Sequence, residues 1–371
     1  MKIVADGMIP LLEPFFADLG DIVKVDGRGL RAADVADADV LLVRSITQVD
    51  AALLAGSRVR FVGTATIGTD HVDRAWLAAR GVGFANAPGC NAVAVAEYVM
   101  TVLALHAREQ GRDLAGLRLG VVGLGQVGSR LAAMAAGCGL QVEACDPLLP
   151  AAAWPAGLRH RALDDLCGQV DALSLHVPLS TQGPAATFHL FGAARLARCR
   201  GLLVNTSRGP VVDNDALAGR LVAGGLAAAL DVWEGEPAID TRVLAACRLG
   251  TPHIAGHSRE GKWRGTAMLS EACRAWLGLP PGPQLAQVVG GDGPVSLAWP
   301  GSLVALLDSL TGVSCDDAAL RALAAGTEPL AAGFDRLRRE RPERREFFNY
   351  RVEGQPDALA PALRALGFSG G

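Results

Sequence analysis

The stretch LGVVGLGQVGSRLAAMAA, residues 119–136, constrains the fold of this chain more than any other. An apolar strand runs directly into Gly123-x-Gly125-x-x-Gly128, and a helix opens directly after it. Three glycines fall at this spacing often enough by chance; the strand before and the helix behind give the pattern meaning. Gly123 permits the tight turn, Gly125 lets backbone approach a pyrophosphate, and Gly128 lets the helix pack against the strand. The helix N-terminus then faces the anion. A second apolar run, LQVEACD, ends in Asp146, 18 residues beyond Gly128. A carboxylate there accepts hydrogen bonds from the ribose hydroxyls of an adenosine and repels a 2′-phosphate. The spacing therefore predicts NAD in preference to NADP. Glu143 lies in the same run, but alternation and position favour Asp146.

On both sides of this motif, short apolar runs alternate with helical stretches. KIVA, DIVKV, DVLLVRS, RFVGTAT and GVGFAN precede it, and residues 91–109 form one long helical run. ALSLHV, GLLVNTS, LAAALDV and a short run near LGTPHI follow it. Such alternation predicts α/β architecture with parallel sheets. We expect two Rossmann-like or flavodoxin-like parallel-sheet domains: a substrate domain over 1–95, completed by about 257–280, and a dinucleotide-binding domain over 96–256. The Pro/Gly cluster GLPPGPQ, 278–284, reads as a linker. Beyond it, 286–371 reads as a third, α+β domain, with LVALLDSLTGV and FDRLRRERPERREFF helical.

At 371 residues the chain can bury a core in each such domain. Half of its residues are hydrophobic, yet AVAVAEYVMTVLALHA is interrupted by Glu97 and falls short of the roughly 20 apolar residues a membrane span needs. The opening MKIVADGMIP places aspartate where a secretory leader would be apolar. Net charge is −3, so no global charge recruits nucleic acid or anionic lipid. The cysteines show no CxxC spacing and read as reduced thiols of a cytoplasmic protein. In RLRRERPERREFF the arginines alternate with glutamates and Pro342 interrupts, which suggests a solvated helix or subunit contact.

Three residues near predicted strand ends carry the chemistry. Open parallel sheets gather ligands at the C-terminal ends of their strands. Arg208 follows the strand of VNTSRGP, Glu236 lies in AALDVWEGEP just past Asp231, and His253 lies in TPHIAGH. An arginine fork can hold a carboxylate in two parallel bonds. A histidine can exchange a hydroxyl proton, and a carboxylate behind it fixes its tautomer. Each alone could be a surface charge, a loop acid or a packed ring. Together, beside a dinucleotide fold, they suit oxidation of a 2-hydroxy acid. His253 and His257 stand four apart, a spacing that on a helix would suit zinc. Pro252 and Gly256 spoil that helix, so no metal is expected and the two histidines take separate tasks.

GLGQVG, NTSRG, DVWEGEP and TPHIAG together resemble the D-isomer-specific 2-hydroxyacid dehydrogenase family. LLVRSITQVD, FVGTATIGTDHVD, APGCNAVAVAEYV, VVDNDAL, REGKWRGT and GFDRLRRERPERREF extend the resemblance along essentially the whole chain, to a branch acting on 4-phospho-D-erythronate in vitamin B6 biosynthesis. The resemblance implies catalysis by Arg208, Glu236 and His253. It implies NAD contacts at Gln126, Val127, Asp146 and Val177, and at Thr206, Ser207, Arg208, Asp231 and Gly256. Ser45, Thr66 and His257 would contact substrate, and the C-terminal domain would form a homodimer. Two departures stand out. His257 occupies a position where that branch carries tyrosine, and NTSRG replaces an alanine or cysteine version. Another hydroxy acid such as 3-phosphoglycerate, or a NADH-sensing role on the same fold, are the alternatives.

Overall fold

In the computed structural model, which describes residues 1–291 and 293–370, the early apolar runs pair in parallel. They are β1 (Lys2–Asp6), β2 (Asp21–Val25), β3 (Val40–Val43), β4 (Phe61–Thr64) and β5 (Gly83–Ala85), in the order β2-β1-β3-β4-β5. The strands from DVLLVRS and RFVGTAT end earlier than their sequences suggest. Past Val43, Arg44 donates to Asp6 at the end of β1, and past Thr64, Thr66 Oγ1 donates to Gly68 O, so the β3–β4 ladder ends at the Val43–Thr64 pair. The helix Arg259–Leu277 returns to this sheet, burying Leu269 and Cys273 against Ile3, Leu42 and Phe61. Ser258 caps it, its Oγ accepting from Gly261 N at 3.0 Å. Met1–Asn91 with Ser258–Gly293 forms one unit of the chain, and Ala92–His257 with Pro294–Gly371 forms the other.

The second unit holds a seven-stranded parallel sheet. Its strands are β6 (Arg118–Val122), β7 (Gln141–Cys145), β8 (Arg159–His160), β9 (Ala172–Leu175), β10 (Gly201–Asn205), β11 (Leu226–Leu230) and β12 (Leu249–Gly250). The order is β12-β11-β10-β9-β6-β7-β8. β8 is too short and too polar for its sequence to announce. It engages Glu143, which pairs with Arg159 at 3.1 Å and Arg161 at 2.9 Å. The long helix Ala92–Glu109 is buried on nearly every face, Glu97 included. Among the described residues no helix is long and apolar enough to cross a membrane.

The C-terminal segment belongs to this second unit by its packing. Helices Leu303–Thr311, Val313–Ala325, Leu330–Glu340 and Ala360–Leu366 accompany a parallel pair, β13 (Val295–Ala298) and β14 (Tyr350–Glu353). Leu306, Leu307, Val313, Phe347, Val352, Leu363 and Leu366 share one core with Val99, Leu103, Leu131 and Ala135. The arginine-rich tail departs from the expected solvated helix. Its helix ends at Glu340, before Pro342, whose ring cannot continue a helix interior. Half-buried Arg341 and buried Arg344 then turn inward, pairing with Asp316 at 2.8 Å and with Glu97 at 2.6 Å. Those carboxylates lie far away in sequence, so local charge alternation could not reveal them. No disulfide joins the cysteines, and each but Cys315 is buried.

Candidate active site

The glycine motif opens the helix Gln126–Gly137 directly after β6. Gly123 sits at φ 89, where L side chains are strained. A Cβ on Gly128 would lie 1.9 Å from Gly123 O, so the third glycine lets helix and turn close on one another. A Cβ on Gly125 would meet nothing within 4 Å. It borders an open cleft of ≈ 410 Å³ lined also by Leu124, Gln126, Ser129 and Arg130. Gly125 offers the helix no side-chain cap, so its first N–H groups suit an anion. Val127 packs against the core behind them. Val177 flanks the turn, its Cγ1 3.0 Å from a Cβ placed on Gly123. At the end of β7, Asp146 accepts from Leu124 N at 2.8 Å and Leu148 N at 3.0 Å. This carboxylate is thereby fixed to the glycine turn itself. Thr206 Oγ1, at the end of β10, is buried without a protein hydrogen-bond partner. An open glycine cradle, an uncapped helix, a rim carboxylate and an orphaned hydroxyl all fit a dinucleotide.

Beyond β10, Asn205 ties the arginine turn together. Its Oδ1 accepts from Ser207 N at 3.1 Å and Ser207 Oγ at 2.9 Å, and its Nδ2 donates to Arg208 O at 2.9 Å. Arg208 donates to Ser207 O at 2.7 Å. A Cβ on Gly209 would lie 2.0 Å from Trp233 O, so only glycine lets this turn approach the one after β11. That turn carries Glu236. Its Oε1 meets His253 Nδ1 at 2.5 Å, and its Oε2 accepts from Trp233 N at 3.1 Å. Burial pushes the Glu236 pKa up, but the His253 charge and these hydrogen bonds outweigh it, and the net shift is downward. The carboxylate is ionised at neutral pH, with Nδ1 engaged and Nε2 left for chemistry.

His253 stands at φ 56, in the left-handed region. Its N–H donates to Asp231 O at 2.8 Å. The Asp231 carboxylate accepts from Thr251 Oγ1 and Ile254 N at 2.7 Å and from Ala255 N at 2.9 Å. It is buried, and burial raises its pKa against the pull of His253 and these bonds. The side chain expected to meet cofactor thus anchors the histidine loop. Tyr98 OH lies 2.7 Å from Thr251 Oγ1 and completes the network. Gly256 and His257 follow in a non-helical turn in which His257 N donates to Ile254 O at 2.8 Å. His253 and His257 are therefore not stacked on a helix face. Among the described residues no cluster suits a metal ion.

Ser45 and Thr66 lie in the other unit, past the ends of β3 and β4. Ser45 is exposed between two anchored neighbours: Arg44 Nε donates to Asp6 at 2.9 Å and Thr47 Oγ1 donates to Gly27 O at 2.8 Å. Thr66 Oγ1 is 2.9 Å from Thr64 Oγ1, which is 2.9 Å from His71 Nε2. Arg130, Thr251 and Tyr98 escaped the sequence reading. Only Arg130, two residues past the last motif glycine, gave any local sign.

Residues 92–255 match the family described as D-isomer specific 2-hydroxyacid dehydrogenase, NAD binding domain. The chain belongs to that family and is an NAD-dependent oxidoreductase. Its full-length similarity is to erythronate-4-phosphate dehydrogenases: 47% identity with that of Ectopseudomonas mendocina and 46% with that of Azotobacter vinelandii, each over 99% of both chains. Residues 301–367 match a domain of unknown function. Among solved structures, a 2-hydroxyacid dehydrogenase of Ketogulonicigenium vulgare is 26% identical, with TM-score 0.64, over 76% of this chain and 96% of its own. The D-lactate dehydrogenase of Aquifex aeolicus, 24% identical with TM-score 0.63 over 75% of this chain and 96% of its own, shares the fold.

Proposed function

We propose that the protein oxidises the C2 hydroxyl of 4-phospho-D-erythronate, giving (R)-3-hydroxy-2-oxo-4-phosphooxybutanoate on the way to pyridoxal phosphate. The observation that carries this is similarity to enzymes of that name along the whole chain, C-terminal segment included. NAD, when bound, would supply the acceptor for the hydride at C2. His253 Nε2 takes the hydroxyl proton, and Glu236, bonded to Nδ1, stabilises the imidazolium that forms. Arg208 holds the substrate carboxylate. Gln126, Asp146 and Thr206 hold the dinucleotide, and Ser45, Thr66 and His257 contact the rest of the acid. The protein works in the cytoplasm as a homodimer joined through its C-terminal segment, a state that light scattering would test.

The test is NADH formation from hydroxy acids with and without a terminal phosphate. We expect turnover with 4-phospho-D-erythronate and little with 3-phosphoglycerate or unphosphorylated erythronate. NADH binding without turnover on any acid would instead favour the sensing role.

A further inference from the structure

The histidine loop hangs from one of the two short edge strands of its sheet. β12 has two residues and lies at the edge, so β11 is its one strand partner. It leads into His253, whose left-handed backbone persists only where its surroundings over-determine it. On the far side of β12 lies the helix Val313–Ala325, 67 residues further along at its closest bond. There Gly250 N donates to Asp317 Oδ1 at 2.7 Å. Arg321 Nε donates to both oxygens of the same carboxylate, at 2.9 and 3.0 Å. Its remaining nitrogens donate to Leu244 O at 2.8 Å and Cys247 O at 3.0 Å, at the end of the helix Thr241–Ala246 that feeds β12. Leu320 and Leu323 share a core with Val243 and Leu244 alongside.

One carboxylate and one guanidinium therefore hold both ends of residues 244–250, immediately before the loop. Asp231, Thr251 and Tyr98 hold the loop itself. We infer that Asp317 and Arg321 are positioning residues for His253, so that the C-terminal segment shapes the chemistry. The inference rests on His253 being the acid/base. Small displacements of a reacting group cost rate steeply, about 10²-fold for an ångström. A clamp on β12 acts on that displacement, and β11, β10 and β9 stand between it and β6, which carries the glycine cradle.

Four variants test this: Asp317→Ala, Asp317→Asn, His253→Ala and the double variant D317A/H253A. D317A should lower kcat about 10- to 100-fold while NADH affinity is unchanged. D317N keeps an oxygen for Gly250 N–H and should restore most of kcat. In the H253A background, D317A should cost nothing more, because the clamp acts only through the histidine. Should D317A fail to fold, Arg321→Lys carries the same test, keeping charge but losing the fork. Losses that multiply in the double variant, a wild-type kcat in D317A, or NADH binding that falls in step with kcat would each overturn the inference. A wild-type kcat in H253A removes the acid/base assignment itself and the clamp with it. An inactive H253A beside a fully active D317A overturns the clamp alone.

Discussion

Asp146 braces the glycine turn and is the residue we propose to meet the ribose, and its variants should separate these two roles. Its two oxygens hold Leu124 N–H and Leu148 N–H, and at the ribose its charge would disfavour a 2′-phosphate. Asp146→Asn retains one acceptor and removes the charge. We expect KM for NAD to rise and the NADP/NAD ratio of kcat/KM to increase by at least about tenfold, corresponding to about 1.4 kcal/mol of relieved repulsion. An unchanged ratio would mean that this carboxylate does not face the ribose. At this scale the sequence was most informative. Asp146, Arg208 and His253 all follow strands whose apolar runs are locally visible, and chemistry gathers at strand ends for a reason independent of any partner. Asp231 was legible as a position but not as an anchor. Its burial depends on Thr251, Ile254 and Ala255 folding over it.

The long helix Ala92–Glu109 shows what an apolar run conceals at the scale of an element. Its boundaries follow from pattern, and the buried Glu97 does not. Oε2 of Glu97 accepts from Arg344 at 2.6 Å, and Oε1 accepts from Phe347 N at 2.7 Å. Burial raises its pKa to about 7; Arg344 opposes this, and the buried Glu346 adds a second negative charge. A carboxyl raised in the fold contributes stability that is fully present below its ordinary value of 4.5 and is lost as pH climbs to about 7. Glu97→Gln cannot titrate. The wild-type Tm should therefore fall relative to that of E97Q between about pH 4.5 and 7 and run parallel above it. A Tm difference independent of pH would show that Glu97 stays ionised throughout. The partner lies 247 residues away, beyond the reach of any periodicity. For the same reason the tail's arginines looked solvated in sequence when Arg344 is buried and Arg341 is half-buried against Asp316.

For the whole molecule, the linker GLPPGPQ invites the expectation that a chain ending at Pro280 keeps two folded α/β units and loses only association. The packing argues otherwise. Removing the C-terminal segment strips Leu306, Leu307, Val313, Phe347, Leu363 and Leu366 from the core they share with the helices Ala92–Glu109 and Gln126–Gly137. It also leaves Glu97 buried opposite no cation and Gly250 N–H without Asp317. Large-to-small changes at single buried leucines cost about 2–5 kcal/mol each, and a domain has only about 5–15 kcal/mol in all. Several such losses together exceed that margin. We therefore expect the shortened chain to lose its cooperative thermal transition, to bind a dye for exposed apolar surface, and to bind no NADH. The unit built on β1–β5 has its own core with Phe15, Phe16, Phe61 and Leu269, so part of the far-UV signal should survive. A folded monomer that still binds NADH would show that the linker separates independent domains after all. A Pro/Gly cluster marks where the chain turns freely, and it carries no information about which surfaces meet again afterwards.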